Sequence, residues 1–259
     1  MTQCPRCNRP SPDGTPLCLA CGNVLPARAA AARAGTMVMV APTLTARPRV
    51  TLRVIRADGG PESSHPMTGE TLACGRQADL SLPEDPFIAG VQTRFFFSAG
   101  KLAVEDVGGG NGTFARLRKP RELPTGGELR VGRQRLLLEP IPGVTPGAGG
   151  AIAWGSPDPG FRMRLVQLLE GGGHGSAFPL KPGENVLGRE AGDITFPQDG
   201  FVSGRHALLT VNGDIVTVED MASSNGTFLR VNAATFVDHG DQFLVGRELL
   251  RVELKPAQP

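Results

Sequence analysis

Two antiparallel β-sandwiches in tandem, behind a small N-terminal unit built on four cysteines, are what this 259-residue sequence predicts. Three observations carry that all-β prediction. Glycine (35) and proline (23) together exceed a fifth of the chain, which suits turn-rich strands and linkers and disfavours helices. Apolar and polar residues alternate with period two, as in Val50, Leu52 and Val54 against Thr51 and Arg53, the mark of a half-buried strand. Three landmarks also recur at one offset of 114 residues: Val104-Glu105-Asp106 as Val218-Glu219-Asp220, Asn111-Gly112-Thr113-Phe114 as Asn225-Gly226-Thr227-Phe228, and Val131-Gly132-Arg133 as Val245-Gly246-Arg247. A gap-free offset of that length is too long for a solenoid and marks a duplicated domain.

Residues 1–22 hold Cys4, Cys7, Cys18 and Cys21 as two CxxC pairs separated by ten residues. Four soft thiolates in that pattern suit one tetrahedral structural Zn2+, a zinc ribbon, and so short a unit needs the metal to fold. Redox use of the same cysteines is the competing reading, but no thioredoxin-like strand and helix surround them. Residues 23–48 are alanine-rich, carry Arg28, Arg33 and Arg47 without an acid, and read as a flexible linker. Residues 49–140 form the first strand-rich stretch, and Cys74 within it reads as a small buried side chain. Residues 141–160 contain six Gly and four Pro, a second linker, and residues 161–255 form the second strand-rich stretch. Each stretch fits a two-sheet sandwich with binding loops at one end.

Composition removes several function classes. The net charge of +2 is too small for a chain that coats nucleic acid, and the absence of tyrosine with 5% aromatics removes base-stacking platforms. No apolar run approaches the ~20 residues of a membrane span, and MTQCPRC lacks a charged-then-apolar leader, so a cytoplasmic protein is expected. No GxxxxGK[ST], GxSxG or open metal site appears, so no enzyme is expected and no catalytic residue is assigned.

The second stretch carries an ordered set of motifs: Leu187-Gly188-Arg189, Val202-Ser203-Gly204-Arg205-His206, Ser223-Ser224-Asn225-Gly226-Thr227 and Gly240-Asp241. In order and spacing this set resembles the forkhead-associated (FHA) phosphothreonine-binding family. The resemblance implies that Arg189 and Ser203, joined by Arg205, touch the phosphate, that Ser224 sits beside the phosphothreonine, and that Asn225 hydrogen-bonds the bound peptide's backbone. It also implies that His206 braces the binding loop. Gly188, Gly226 and Thr227 are assigned to the architecture of the binding loops. A phosphothreonine offers about two negative charges and three acceptor oxygens, and a planar guanidinium with short neutral donors on converging loops answers that chemistry.

The first stretch departs from the pattern. Aligning Arg94 with Arg205 puts Gln92 where Ser203 stands, Thr93 opposite Gly204, Phe95 opposite His206 and Gly110 opposite Ser224, while Arg76 and Asn111 are kept. Weak or no phosphothreonine binding is expected there. Residues 161–255 carry 9 basic and 12 acidic side chains, so recognition must be local rather than steered.

Together these readings point to a phosphothreonine-dependent adaptor in Ser/Thr-kinase signalling, whose partners are phosphothreonine-containing proteins such as a kinase or its substrates. Thr36, Thr43 and Thr45 in the linker are candidate phosphoacceptors through which chains could self-associate. The alternative is a nucleic-acid-binding regulator that reads DNA through the zinc ribbon. Arg6 and Arg9 are too few for a footprint of several phosphates, which disfavours it.

Overall fold

The computed structural model describes residues 2–11, 25, 47–56, 59–108 and 110–256, and the chain divides into two compact units, Met1–Thr43 and Leu44–Pro259. In the first unit, β1 (Thr2–Gln3) and β2 (Pro10–Ser11) pair antiparallel. The turn between them is closed by Asn8 N–H donating to the Cys4 carbonyl (2.9 Å) and Cys4 N–H donating to the Arg9 carbonyl (3.1 Å). Asn8 takes a left-handed φ of 55°, which asparagine tolerates better than most residues. Cys4 is buried and packs with Leu25 and the partly buried Cys7. Cys18, Cys21, Thr36, Thr43 and Thr45 lie outside the described residues.

The larger unit begins with β3 (Arg49–Ile55), β4 (Ser63–Pro66), β5 (Thr71–Gly75), β6 (Leu80–Ser81), β7 (Thr93–Ser98), β8 (Lys101–Asp106) and β9 (Thr113–Arg116). It continues through β10 (Arg121–Leu123), β11 (Glu128–Val131), β12 (Gln134–Pro140), β13 (Met163–Leu168), β14 (His174–Leu180), β15 (Gly183–Gly188) and β16 (Ile194–Thr195). It ends with β17 (Ala207–Asn212), β18 (Ile215–Asp220), β19 (Thr227–Arg230), β20 (Thr235–Phe236), β21 (Gln242–Val245) and β22 (Glu248–Lys255). The alternation that predicts β3 is real: Val50, Leu52 and Val54 are buried and their neighbours are not. Among the described residues there is no α-helix, hence none long and apolar enough to cross a membrane.

These strands build three sheets, in the orders β20-β8-β7-β5-β6, β10-β18-β17-β15-β16, and a ten-stranded β14-β13-β12-β11-β19-β9-β21-β22-β3-β4. Two cores follow. One is drawn from residues between Leu117 and Leu229, and the other from Val50 to Val104 together with Val231 to Val252. The ten-stranded sheet thus backs both five-stranded sheets, giving two sandwich lobes joined through the β9–β19 pairing.

The lobes are not the two stretches expected. The chain leaves the first lobe after β9, builds the whole second lobe from β10 to β19, and returns to the first lobe with β20, β21 and β22. Boundaries at 140 and 161 therefore correct to crossovers at 117–120 and 231–234. The Gly/Pro stretch 141–160 is exposed along most of its length, with a single 3-10 turn at Ala148–Gly150. It joins β12 to its own neighbour β13, paired at Pro140 and Met163, instead of separating the lobes. The cause lies in the duplication: core residues Leu117, Leu123, Leu129, Val131, Leu136 and Leu138 have Val231, Val237, Phe243, Val245, Leu250 and Val252 as apolar counterparts 114 residues on. The two sets share one apolar pattern, the first completing the second lobe and the second completing the first, and contacts between the halves come in reciprocal pairs. Arg133 N–H donates to Asp199 Oδ2 (2.8 Å), and Arg247 N–H donates to Asp85 Oδ2 (2.6 Å).

Candidate functional site

Of the residues singled out in the second stretch, those from Gly188 to Thr227 converge at one end of the second lobe, while Gly240 and Asp241 fall in the first lobe between β20 and β21. Gly188 ends β15 where a Cβ would collide with the carbonyl oxygens of Gly204 and Ala191, so glycine is required for the loop 200–206 to lie against that strand. Arg189 N–H, next in sequence, donates to the Ser203 carbonyl (2.9 Å), which fixes the guanidinium-bearing residue beside the serine. Ser203 Oγ in turn accepts the Ser224 N–H (3.1 Å), joining the third loop to the other two. With that lone pair used, the Ser203 hydroxyl keeps its O–H for an outside acceptor. Asn225 donates from Nδ2 to the Phe201 carbonyl (2.8 Å) and is otherwise exposed.

His206 is fully buried and holds this arrangement from beneath. Its Nδ1 accepts the Ser203 N–H (3.0 Å) and its Nε2 lies 3.0 Å from the Gly226 carbonyl. An acceptor at one nitrogen and a carbonyl partner at the other define a neutral ring protonated on Nε2. Burial pushes its pKa below the ordinary histidine value, against the opposing pull of the Gly226 carbonyl and of Asp220 and Asp199. Gly226 has φ +86°, and its N–H donates to Ser223 Oγ (2.9 Å).

Three residues that sequence reasoning missed complete the frame. Asp220, at the end of β18, accepts Ser223 Oγ–H (2.6 Å), Ser223 N–H (3.0 Å) and Thr227 Oγ1–H (2.8 Å). Asp199, buried, accepts the Phe201 N–H (3.0 Å) on one oxygen and Arg133 N–H and Gln134 Nε2–H (both 2.8 Å) on the other. Arg133, brought in by the β11–β12 turn, stacks its guanidinium 4.8 Å from the Phe201 ring centre. Asp220 and Arg133 lay within repeated landmarks, so the signal was present, but a repeat alone does not say whether a residue serves a strand or a site.

The groups expected to face a phosphate are open to solvent. Arg189 is partly exposed and its Nε and Nη2 donate to Glu190 Oε1 (3.0 and 2.6 Å), while Arg205 is exposed. An exposed pair of this kind is worth about 0.2–1 kcal/mol, so it releases readily to a doubly charged ligand.

In the first lobe the structure corrects the alignment of the two modules. Arg76 N–H donates to the Ala89 carbonyl (2.9 Å) as Arg189 does to Ser203, so Ala89, not Gln92, stands opposite Ser203. Gly90 then matches Gly204, Val91 matches Arg205, and Gln92 matches His206. Gln92 is buried, and its Oε1 accepts the Ala89 N–H (3.3 Å) just as His206 Nδ1 accepts that of Ser203. The brace is therefore kept, and what is lost is the hydroxyl. Asn111 repeats Asn225 by donating to the Phe87 carbonyl (2.9 Å), but its Oδ1 is taken by Arg135 Nη1 (3.1 Å). Cys74 is buried and its thiol is pushed up to about 12 by desolvation, in keeping with a core role.

Among the described residues no group of three or more His, Cys, Asp or Glu is placed to hold a metal. Cys4 and Cys7 share one tight turn, with Cys4 buried.

What these elements define is a β-sandwich lobe whose loops gather a guanidinium, a hydroxyl and a carboxamide at one polar end. The FHA domain matches residues 185–246 of this chain. FhaB of Mycobacterium tuberculosis is 31% identical over 96 residues, covering 36% of this chain and 61% of FhaB. The oxoglutarate dehydrogenase inhibitor of Corynebacterium jeikeium is 31% identical over 119 residues, covering 45% of this chain and 81% of that protein. The chain belongs to the FHA-domain family, while spanning about 61% of the length of FhaB. The solved FHA domain of CT664 from Chlamydia trachomatis aligns over 79% of this chain and 96% of its own with a TM-score of 0.31 and 10% identity.

Proposed function

We propose that the second lobe docks phosphothreonine-containing proteins and that the chain is an adaptor in Ser/Thr-kinase signalling. The observation that carries this reading is the pair of contacts from Arg189 N–H to the Ser203 carbonyl and from Ser224 N–H to Ser203 Oγ, which bring three loops to one point. A phosphate there meets the guanidinium of Arg189, the free O–H of Ser203 and the nearby exposed Arg205. Asn225 keeps its Oδ1 and one N–H for the backbone of the bound peptide. The test is a titration of the full chain with a phosphothreonine peptide library and its unphosphorylated and phosphoserine forms. Phosphothreonine binding is expected to weaken by about ten- to a hundredfold in Arg189→Ala, the loss of one charged hydrogen-bonding group. Equal affinity for phosphorylated and plain peptides would sink it.

We also propose that Cys4, Cys7, Cys18 and Cys21 hold one structural Zn2+. The buried Cys4 on a closed turn supports this, as does the small apolar cluster, Cys4, Leu25 and Cys7, among the described residues of that unit. Elemental analysis of the purified chain is expected to give about one zinc per chain, lost in Cys4→Ser. Intact folding and no zinc in the wild type would exclude it.

A further inference from the structure

We infer that the peptide site of the second lobe is a composite of the two halves of the chain, in which Arg133 selects ligands carrying an acidic side chain beside the phosphothreonine. This deepens the reading above and rests on it.

The placement follows from register. Val131, the last residue of β11, pairs with Thr227, the first residue of β19, so the β11–β12 turn stands level with the 223–226 loop that carries Ser224 and Asn225. Gly132 has φ +58° and leaves no room for a side chain, because a Cβ would press on Val202 and the Asp199 carboxylate. The turn is therefore seated directly against the 199–202 loop, and the next residue, Arg133, is delivered onto Phe201. Phe201 is itself 46% exposed, an unusual position for a large apolar ring, and its carbonyl is the acceptor that orients Asn225. Arg133 thus lies beside the segment where Asn225 would hold a peptide backbone.

Charge favours an acidic partner. The Arg133 guanidinium is exposed, and its contact is with the Phe201 ring and not with a carboxylate. The nearest anion, Asp199, is buried and has its oxygens committed to Phe201 N–H, Arg133 N–H and Gln134 Nε2–H. Arg189, by contrast, already faces Glu190. A guanidinium held over an aromatic ring leaves N–H groups for a carboxylate, in a place fixed before binding.

The experiment compares paired phosphothreonine peptides, identical but for Asp or Ala at positions next to the phosphothreonine, against the full chain. Wild type is expected to bind the best acidic peptide about two- to fivefold tighter than its alanine twin, the span of one exposed ion pair. That ratio should fall to about one in Arg133→Ala and invert in Arg133→Glu. It should persist in Arg247→Ala, the counterpart arginine that stacks on Phe87 in the first lobe. Phosphothreonine binding with no acidic preference, or a preference that survives Arg133→Ala, overturns this inference and leaves the docking function standing. Absence of any phosphothreonine-dependent binding overturns both.

Discussion

His206 and Gln92 solve one problem with different chemistry. Each reaches from a buried position at the head of a strand to accept the N–H of the residue three before it, and each thereby fixes a binding loop. Only the histidine titrates. Because burial lowers its pKa in the folded chain, the unfolded chain binds a proton that the folded one does not between the two pKa values. Stability from this residue is therefore complete above the ordinary histidine pKa and is lost as pH falls below it. Protonated Nδ1 would also face the Ser203 N–H with a second donor. We expect His206→Gln to keep the loop and to lose less thermal stability than wild type between about pH 7 and about pH 5, as measured by melting curves. An identical pH slope in both proteins would show that His206 is not a proton-sensitive brace. A loop-facing place for this residue was expected from the FHA resemblance, which the Ser203-to-His206 spacing carries. That of Gln92 was not, since matching Arg94 to Arg205 moved the register by three and hid the kept brace.

At the scale of loops and strands, the first lobe retains most of a binding site. Arg76, Gln92 and Asn111 occupy the positions of Arg189, His206 and Asn225, and the differences are Ala89 for Ser203, Val91 for Arg205 and Gly110 for Ser224. Gly110 has no neighbour within reach of an added Cβ and takes no left-handed φ, so serine fits there. Ala89→Ser with Gly110→Ser is accordingly expected to add a second phosphothreonine site per chain. That site should be on the order of tenfold weaker than the first, because Val91 still stands where the first site has Arg205 and Arg135 still occupies Asn111 Oδ1. Calorimetric stoichiometry near one peptide per chain in that double variant would show that the lost hydroxyls are not what silences the lobe. The same scale shows what sequence carries about elements. Alternation gives β3 and its buried face, and the turn glycines give the hairpins. Pairing partners are another matter, because β11 and β21 present equivalent apolar faces and nothing local distinguishes which of them flanks β19.

For the molecule as a whole, that ambiguity decides which piece of chain is a folding unit. Every buried residue of the second core falls between Leu117 and Leu229, with β10, β11 and β12 preceding β13 in sequence while completing the lobe's two sheets. The second lobe is thus a contiguous, circularly rearranged sandwich set into the first between β9 and β20. Excising residues 161–255, the bounds that composition suggests, removes Leu117, Leu123, Leu129, Val131, Leu136 and Leu138 from that core. It also removes Arg133 and Gln134 from the Asp199 loop. Each lost large apolar side chain costs about 2–5 kcal/mol, more in sum than a small domain's stability, unless residues 231–252 fold back to take their place. A fragment spanning residues 117–231 keeps the entire core and all the binding loops; it gives up the three-pair β9–β19 pairing inside the ten-stranded sheet and polar contacts to the first lobe such as Arg130 to the Gly246 carbonyl, Arg135 to Asn111 and Arg230 to Asp106. We expect it to be a monomer by size-exclusion chromatography, to melt cooperatively, and to bind phosphothreonine peptide within about threefold of the full chain. An unfolded 117–231 fragment beside a monomeric, peptide-binding 161–255 fragment would mean that each half closes on itself. The crossovers at 117–120 and 231–234, and with them the composite site at Arg133, would then be lost.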